Sequence, residues 1–255
     1  MANNLSKLIH YSFLWELFPY PPSIMDRNLG APDVNYHGNN NGAVFYQFGR
    51  KDPFAGGSLY KPDGSSISIS TIAWNSGQIT QETNKKGKNV PYSIQNPLKF
   101  ITNSGPWTTG DQYCPVDGGN FVWQDPKSLS STDGKVKKSI FDPCPTGWMV
   151  PMNGTWNGLV SKNPAWSTTN SNGLGIYYYP AGTGKTGIYA FYPAGCRSSG
   201  NSYTGENGSY SWTCSNTSLN VSLFYVSDYN GGYIYFDKFD VRASGYHVRC
   251  IQEYF

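Results

Sequence analysis

The chain has 255 residues, enough for one large domain with a full hydrophobic core or for two small ones. Charged residues make up 14% of it, well under the usual share, while aromatics reach 16% and 29 Gly and 17 Pro punctuate the chain. That balance excludes a helix-rich protein and predicts short strands joined by long, well-packed loops. A net charge of +3 spread over scattered basic residues excludes an extended nucleic-acid footprint.

Residues 1–7 are polar and lack the basic-then-apolar pattern of a secretory leader. Residues 8–20 are apolar and aromatic but too short to span a bilayer. The expectation is a mature form, a trimmed form or a chain exported without a leader, with no membrane insertion. The first apolar stretch, 5–18 (LSKLIHYSFLWELF), suits a strand or a helix and is ended by Pro19, Pro21 and Pro22. Residues 23–32 look like a strand entering a Gly/Pro turn, and 35–42 form an Asn/Gly loop. Residues 43–54 (AVFYQFGRKDPF) begin as an aromatic strand or short helix that stops at Gly49.

Residues 55–120 alternate polar loops with short strands such as 66–74 (SISISTIAW), which has period two. The segment 55–140 is expected to be an insertion, with 55–120 carrying little core. Its one dense basic run, Lys85, Lys86 and Lys88, belongs on a solvated loop. Residues 141–151 (FDPCPTGWMVP) form a Pro-bounded strand, and 154–162 (GTWNGLVSK) are the best candidate for a short helix. The similar runs 174–182 and 187–195 read as one hairpin with its turn at 183–187. No linker divides the chain, so 1–255 is a single domain with 1–23 at its edge.

Catalytic and metal-binding motifs are weak. Gly182, Gly184 and Gly187 have the G-x-G-x-x-G spacing, but a phosphate loop opens a helix and the residues that follow (IYAFYP) are strand-forming. His247 sits in a strand-like YHVRC run without an evident nucleophile, and the carboxylates form no paired motif. The five cysteines, 114, 144, 196, 214 and 250, contain no C-x-x-C pair, and only His10, His37 and His247 accompany them. Neither a catalytic residue, a metal nor a cofactor is expected. Five thiols allow two disulfides and one free cysteine, which favours an oxidising compartment. The N-x-[ST] sequons at Asn153, Asn207, Asn216 and Asn220 are expected by chance in so Asn- and Ser-rich a chain.

The C-terminal part is more informative. Of the 43 residues in 197–239, 25 are Tyr, Ser, Asn or Gly, and only Arg197, Glu206, Asp228, Asp237 and Lys238 are charged. Antibody paratopes share this composition: tyrosine supplies contact area at low rotamer cost, while Ser, Asn and Gly supply adaptable hydrogen bonds. In 229–239 (YNGGYIYFDKF) aromatics stand at 229, 233, 235 and 239. A sheet buries only one face against a core, so some of these rings face outward, and exposed aromatic clusters mark contact sites.

The landmarks MDRNLGA (25–31), FYQFGRKDPF (45–54), DPCPTGWMVP (142–151), YPAGCR (192–197), SYSWTCS (209–215) and GYHVRCIQE (245–253) occur in an order that resembles the Fibrobacter-succinogenes-type paralogous domain. That module is common in surface and fimbrial proteins of Bacteroides-like bacteria. The resemblance runs from about residue 24 to the end. It implies an α+β, C-type-lectin-like fold of the formylglycine-generating-enzyme branch, strand- and loop-rich with few short helices. It implies that Cys144 and Cys250 are bonded across 106 residues, a cross-link that stabilises by roughly 4–5 kcal/mol in the chain-entropy view. Trp148, Trp212, Arg242 and Arg249 would be scaffold. Family members commonly carry a Tyr-type residue near 196 and Ser near 214. Cysteine at both positions here implies a second, private disulfide, Cys196–Cys214, leaving Cys114 free.

The layout also resembles the variable proteins of diversity-generating retroelements, whose C-type-lectin-like domain ends in a hypervariable stretch bounded by a fixed motif. Residues 210–241, ahead of RASGYHVRC, have that look. The Glu-Pro-Asn and Trp-Asn-Asp signatures of calcium-dependent lectins are absent, so neither calcium nor sugar follows from the resemblance. The expected function is non-enzymatic binding or adhesion through the surface of 197–255, on a pilus tip, cell surface or phage fibre. The partner would be a protein or glycan on a host or neighbouring cell, with a pilus or fibre subunit attached. The expected contacts are Asn216, Ser218, Asn220, Ser222, Tyr225, Ser227, Tyr229, Asn230, Tyr233, Tyr235, Asp237 and Phe239. Two alternatives remain: an oxidase by fold analogy, which needs Cys196 and Cys214 reduced, adjacent and metal-binding, and a structural pilus subunit whose aromatics make subunit contacts.

Overall fold

Among the described residues, aromatic and β-branched runs bounded by Gly and Pro fold as strands. The computed structural model describes residues 23–31, 44–55, 59–60, 65–67, 80–83, 89–102, 123–125, 136–152, 155, 165–170, 173–179, 189–191, 196–197, 203–204, 208–216, 220–227 and 233–253. The strands are β1 (Val44–Gln47), β2 (Phe54–Ala55), β3 (Leu59–Tyr60), β4 (Ser66–Ile67), β5 (Thr80–Thr83), β6 (Lys99–Thr102), β7 (Trp148–Met149), β8 (Ala165–Asn170) and β9 (Gly173–Tyr179). They continue with β10 (Tyr189–Phe191), β11 (Cys196–Arg197), β12 (Tyr203–Thr204), β13 (Gly208–Asn216), β14 (Asn220–Ser227), β15 (Tyr233–Val241), β16 (Gly245–Tyr246) and β17 (Ile251–Gln252). Among the described residues there is one helix, α1 (Asn89–Gln95), between β5 and β6. The sheet-dominated architecture with few helices is the one composition predicts.

A five-stranded sheet has the order β12-β11-β16-β1-β2, and two three-stranded sheets have the orders β10-β9-β8 and β13-β14-β15. Pairs β17-β7, β3-β4 and β5-β6 complete the set. The expected hairpin is β9–β10, with Tyr178 opposite Tyr189. The β5–β6 pair is parallel, and α1 belongs to the crossover that such pairing requires. Sequence reasoning missed α1 because it contains Val90 and Pro91. Proline is tolerated there because a first-turn N–H has no intrahelical acceptor to lose. The helix stops where both the backbone N–H and the side-chain amide of Asn96 donate to the carbonyl of Tyr92, each at 3.0 Å. The stretches 5–18 and 35–42, the glycine motif at 182–187, the Lys85–Lys86–Lys88 run, Cys114 and all of 154–162 except Thr155 lie outside the described residues.

The expectation that 55–120 carries little core needs correction, because Phe100 and Ile101 are both buried. Gln47 explains how this segment becomes part of the interior. Its amide nitrogen donates to the carbonyls of Ile101 at 2.9 Å and Ala243 at 2.7 Å. Its amide oxygen accepts from the N–H of Ile101 at 3.1 Å and from Nη1 of Arg50 at 3.0 Å. One buried side chain thus satisfies backbone groups on β6 and on the turn after β15. Arg50, also buried, donates to the carbonyls of Lys99 and Pro97 and lies 4.6 Å from the centre of the Phe54 ring. Phe54 in turn packs edge-on against Phe100.

The two ends of the described chain close on each other. The N–H groups of Met25 and Leu29 donate to the carbonyls of Cys250 and Val248, both at 2.9 Å, and that of Gln252 donates to Ser23 at 2.8 Å. Strand β17 pairs with β7, and Cys144 is disulfide-bonded to Cys250. Gly30 is required at its turn: its φ is +82°, and a Cβ there would lie 2.9 Å from a methyl of Val44. Trp212, Arg242 and Arg249 are buried, and Trp148 is half-buried.

Within 141–151, expected to be a strand, only Trp148–Met149 is extended. The rest is a turn organised by two side chains. Lys138 Nζ donates to the carbonyls of Cys144, Pro145 and Trp148 at 2.7–2.9 Å. The buried carboxylate of Asp142 accepts from the N–H of Cys144 at 2.7 Å and of Val150 at 2.9 Å. Burial nevertheless raises Asp142 from 3.8 to about 6, outweighing these two donors and the Lys138 charge. The folded chain therefore holds a proton that the unfolded chain has lost between about pH 4 and pH 6. Stability should fall by about 3 kcal/mol as pH rises through that window. Urea denaturation from pH 4 to pH 7 tests this: the wild-type chain should lose stability across the window relative to Asp142→Asn, and parallel profiles would contradict it.

Candidate functional site

The segment rich in Tyr, Ser and Asn folds as the antiparallel meander β13–β14–β15. Strand β13 (GSYSWTCSN) alternates small polar residues with Tyr210, Trp212 and Cys214, and this alternation sends the two sets to opposite faces. Trp212 lies opposite Leu223 and Tyr210 opposite Tyr225. The other edge of β13 is not open. Trp212 N–H donates to the carbonyl of His247 at 2.9 Å, and His247 N–H donates to that of Tyr210 at 3.1 Å. The chain leaving β16 therefore runs parallel to β13 and links the meander to the five-stranded sheet.

On the Trp212 face four tyrosines form a row across four strands. Tyr246 of β16 stacks on Tyr210 of β13 with centroids 5.4 Å apart, Tyr210 on Tyr225 of β14 at 4.4 Å, and Tyr225 on Tyr235 of β15 at 5.9 Å. Successive ring planes differ by 15°, 27° and 14°. The row passes from interior to surface: Tyr246 is buried, Tyr210 and Tyr225 are half-buried, and Tyr235 is 50% exposed. The buried end is held by the Tyr246 hydroxyl, which donates to the carboxylate of Asp240. Burial, reinforced by the Asp240 charge, pushes this phenol well above its ordinary value, so it remains a donor. Burial also raises Tyr210, and the neighbouring Tyr225 phenol adds to the rise.

An irregularity in the β14–β15 register completes the surface. Tyr225 faces Tyr235, and Leu223 faces Lys238, so two steps on β14 match three on β15. Residues three apart on a regular strand point to opposite faces, and the extra residue brings Lys238 to the side of Tyr235. Lys238 Nζ lies 4.3 Å from the Tyr225 centroid and 5.6 Å from that of Tyr210. Its side chain is exposed.

The expected contact residues divide between the faces. Tyr225 and Tyr235 belong to the row. Asn220, Ser222 and Phe239 occupy the alternate positions, with Ser222 opposite Phe239 and Asn220 opposite Val241. Phe239 is 44% exposed, but Ser222 is buried and its hydroxyl cannot meet a ligand at the surface. Asn216, Ser227, Tyr233 and Asp237 are placed within β13, β14 and β15, and their side chains lie outside the described structure. Ser218, Tyr229 and Asn230 are outside the described residues. Sequence reasoning missed Tyr210, Tyr246, Lys238 and Asp240. The alternation of Tyr210 with Trp212 placed them on a common face, whereas nothing in the sequence announced the bulge.

The Cys196–Cys214 disulfide also needs correction: both residues are buried thiols. Cys196 lies within electrostatic reach of the Tyr210 and Tyr246 phenols. Cys214 is the separate buried thiol of β13. Its sulfur instead accepts from the Gln124 amide at 2.8 Å, and burial raises its thiol pKa.

Among the described residues, no group of three or more His, Cys, Asp or Glu side chains converges to hold a metal ion. No described helix is long and apolar enough to cross a membrane. No family model, curated protein or solved structure matches the chain.

The row should separate scaffold from surface energetically. Tyr235→Ala removes a half-exposed ring and should change unfolding free energy by less than about 1 kcal/mol. Tyr210→Ala removes a ring stacked on both sides and should cost about 2–4 kcal/mol. Guanidinium denaturation of the two variants checks this, and equal losses would contradict the gradient.

Proposed function

We propose that this chain is an extracytoplasmic, non-enzymatic binding domain that presents the outer end of the tyrosine row to a ligand. The row is the observation that carries the proposal. Its inner rings are fixed by stacking and by the Tyr246–Asp240 hydrogen bond, so Tyr235 is held in place before any ligand arrives. Preorganised aromatic area binds with little further loss of side-chain freedom.

The proposed scaffold is C-type-lectin-like, of the formylglycine-generating-enzyme branch. The closure of 23–29 on 248–252 and the Cys144–Cys250 bond support it, because they join the landmarks on which the family resemblance rests. The proposed role is adhesion or receptor recognition at a cell surface, pilus tip or phage fibre. A partner protein or glycan on a neighbouring cell would be the ligand. Screening the full chain against cell-surface glycans and receptor ectodomains should yield a ligand for which Tyr235→Ala weakens binding at least tenfold. Ile140→Ala, at a residue 78% exposed outside this sheet, should bind as wild type. Equal effects of the two substitutions would count against the row as the binding surface.

The proposal extends to diversification by a retroelement. Residues 242–250 are buried throughout, while Tyr235, Lys238 and Phe239 just before them are exposed. Exchange of the exposed residues leaves the core contacts intact, which suits a varied stretch ahead of a constant one. Deep sequencing of the codons for 205–255 across related strains should find substitutions concentrated in 210–241 with 242–253 nearly constant. Uniform variation would remove the retroelement while leaving the binding surface.

A further inference from the structure

We propose that Cys214 and Gln124 form an internal thioester, which joins β13 to the 123–125 segment and gives the chain an acyl donor for primary amines. The proposal stands apart from the tyrosine row and does not depend on the binding role.

The pair has the geometry of the two reactants. Gln124 Nε2 lies 2.8 Å from the Cys214 sulfur, across 90 residues of chain. That separation is usual for a contact to oxygen and short for one to the larger sulfur atom. An amide C–N bond adds about 1.33 Å, so the side-chain carbonyl carbon of Gln124 lies within about 4.1 Å of the sulfur. The terminal torsion of glutamine is soft, and a turn about it brings the two atoms to the roughly 3–3.5 Å from which bonds form.

Both partners are held from behind. The N–H of Cys214 donates to the carbonyl of Pro151 at 2.8 Å. Gln124 is bridged to Lys138, and backbone bonds from Asp125 to Lys137 at 2.8 Å and from Ser139 to Trp123 at 3.0 Å secure it on either side. Hydrogen bonding does not by itself account for the contact. Gln124 is 3% exposed and Cys214 1%, yet the buried amide donates to sulfur, a weak acceptor.

The chemistry balances without an oxidant. The sulfur attacks the side-chain carbonyl carbon of Gln124, the S–C bond forms and the C–N bond breaks. The thiol proton passes to the departing nitrogen, and one molecule of ammonia leaves. Burial keeps the Cys214 thiol protonated, so this proton is at hand. Protonation and dilution of the ammonia in water draw the exchange forward. Exclusion of water then protects the thioester from hydrolysis. A primary amine that reaches the carbonyl carbon when the 123–125 segment lifts forms an amide at Gln124 and returns the Cys214 thiol.

Intact-mass spectrometry of the full, unreduced chain tests this. The expected mass is lower by one ammonia than the sequence with its Cys144–Cys250 disulfide requires. Peptide mapping should place the loss on a cross-linked pair of peptides containing Gln124 and Cys214. Methylamine under mild denaturation should open the cross-link, add one methylamine at Gln124 and free Cys214 for alkylation. Cys214→Ala and Gln124→Met should each show the full mass and take up no methylamine. Mapping of the wild-type chain needs no variant, so the test survives if either substitution disturbs this buried site. A wild-type chain of full mass, in which Cys214 alkylates on denaturation without any amine, would overturn the proposal. So would an ammonia loss that maps elsewhere or persists in Cys214→Ala.

Discussion

The indole of Trp212 is the constraint on which the rest of this structure depends. Its ring N–H donates to the carbonyl of Tyr46 at 2.7 Å, and its backbone N–H donates to that of His247. One residue of β13 is thereby bonded to β1 and to the chain leaving β16, the two places where the meander meets the five-stranded sheet. Its ring also packs edge-on against Tyr246 and lies near Phe48, which itself packs edge-on against Trp123. A buried donor without a partner costs about as much as a typical hydrogen bond contributes, or more. The indole therefore fixes the angle at which the meander leaves the core and with it the direction of the tyrosine row.

From that anchor the surface follows by short-range rules. Alternation along β13 places Tyr210 on the side of Trp212, cross-strand pairing places Tyr225 beside Tyr210, and Tyr235 comes next on β15. Each ring restrains its neighbour, and freedom increases outward from Tyr246. Gln47 plays a comparable part deeper in the fold by satisfying backbone groups of segments far apart in the chain. Buried polar side chains of this kind join strands too short to hold together by their own ladders.

Much of this architecture was legible beforehand. Low charge, many aromatics and frequent Gly and Pro predicted a strand-rich fold, and the matching runs at 174–182 and 187–195 predicted the β9–β10 hairpin. The family resemblance implied the Cys144–Cys250 bond. The errors share a cause. The burial of Phe100 and Ile101 depends on Gln47 and Arg50 reaching from another segment, which local patterning does not reveal. The Cys196–Cys214 bond was inferred from two unusual residues, and whether they meet depends on how β11 and β13 are placed by the sheets. Ser222 belongs to a segment of paratope-like composition, yet composition carries no information about which face of a strand a residue occupies.

The sequence by itself determined the strand-rich class of structure and the region where Tyr, Ser and Asn concentrate, because both depend on composition and short-range periodicity. Tertiary structure alone decided which residues share the surface. A single extra residue between Tyr235 and Lys238 reverses the face on which the lysine emerges, and that bulge exists only through the pairing of β15 with β14. The joining of Tyr246 to a row that ends at Tyr235 likewise requires a parallel contact between segments that alternation along either one cannot predict.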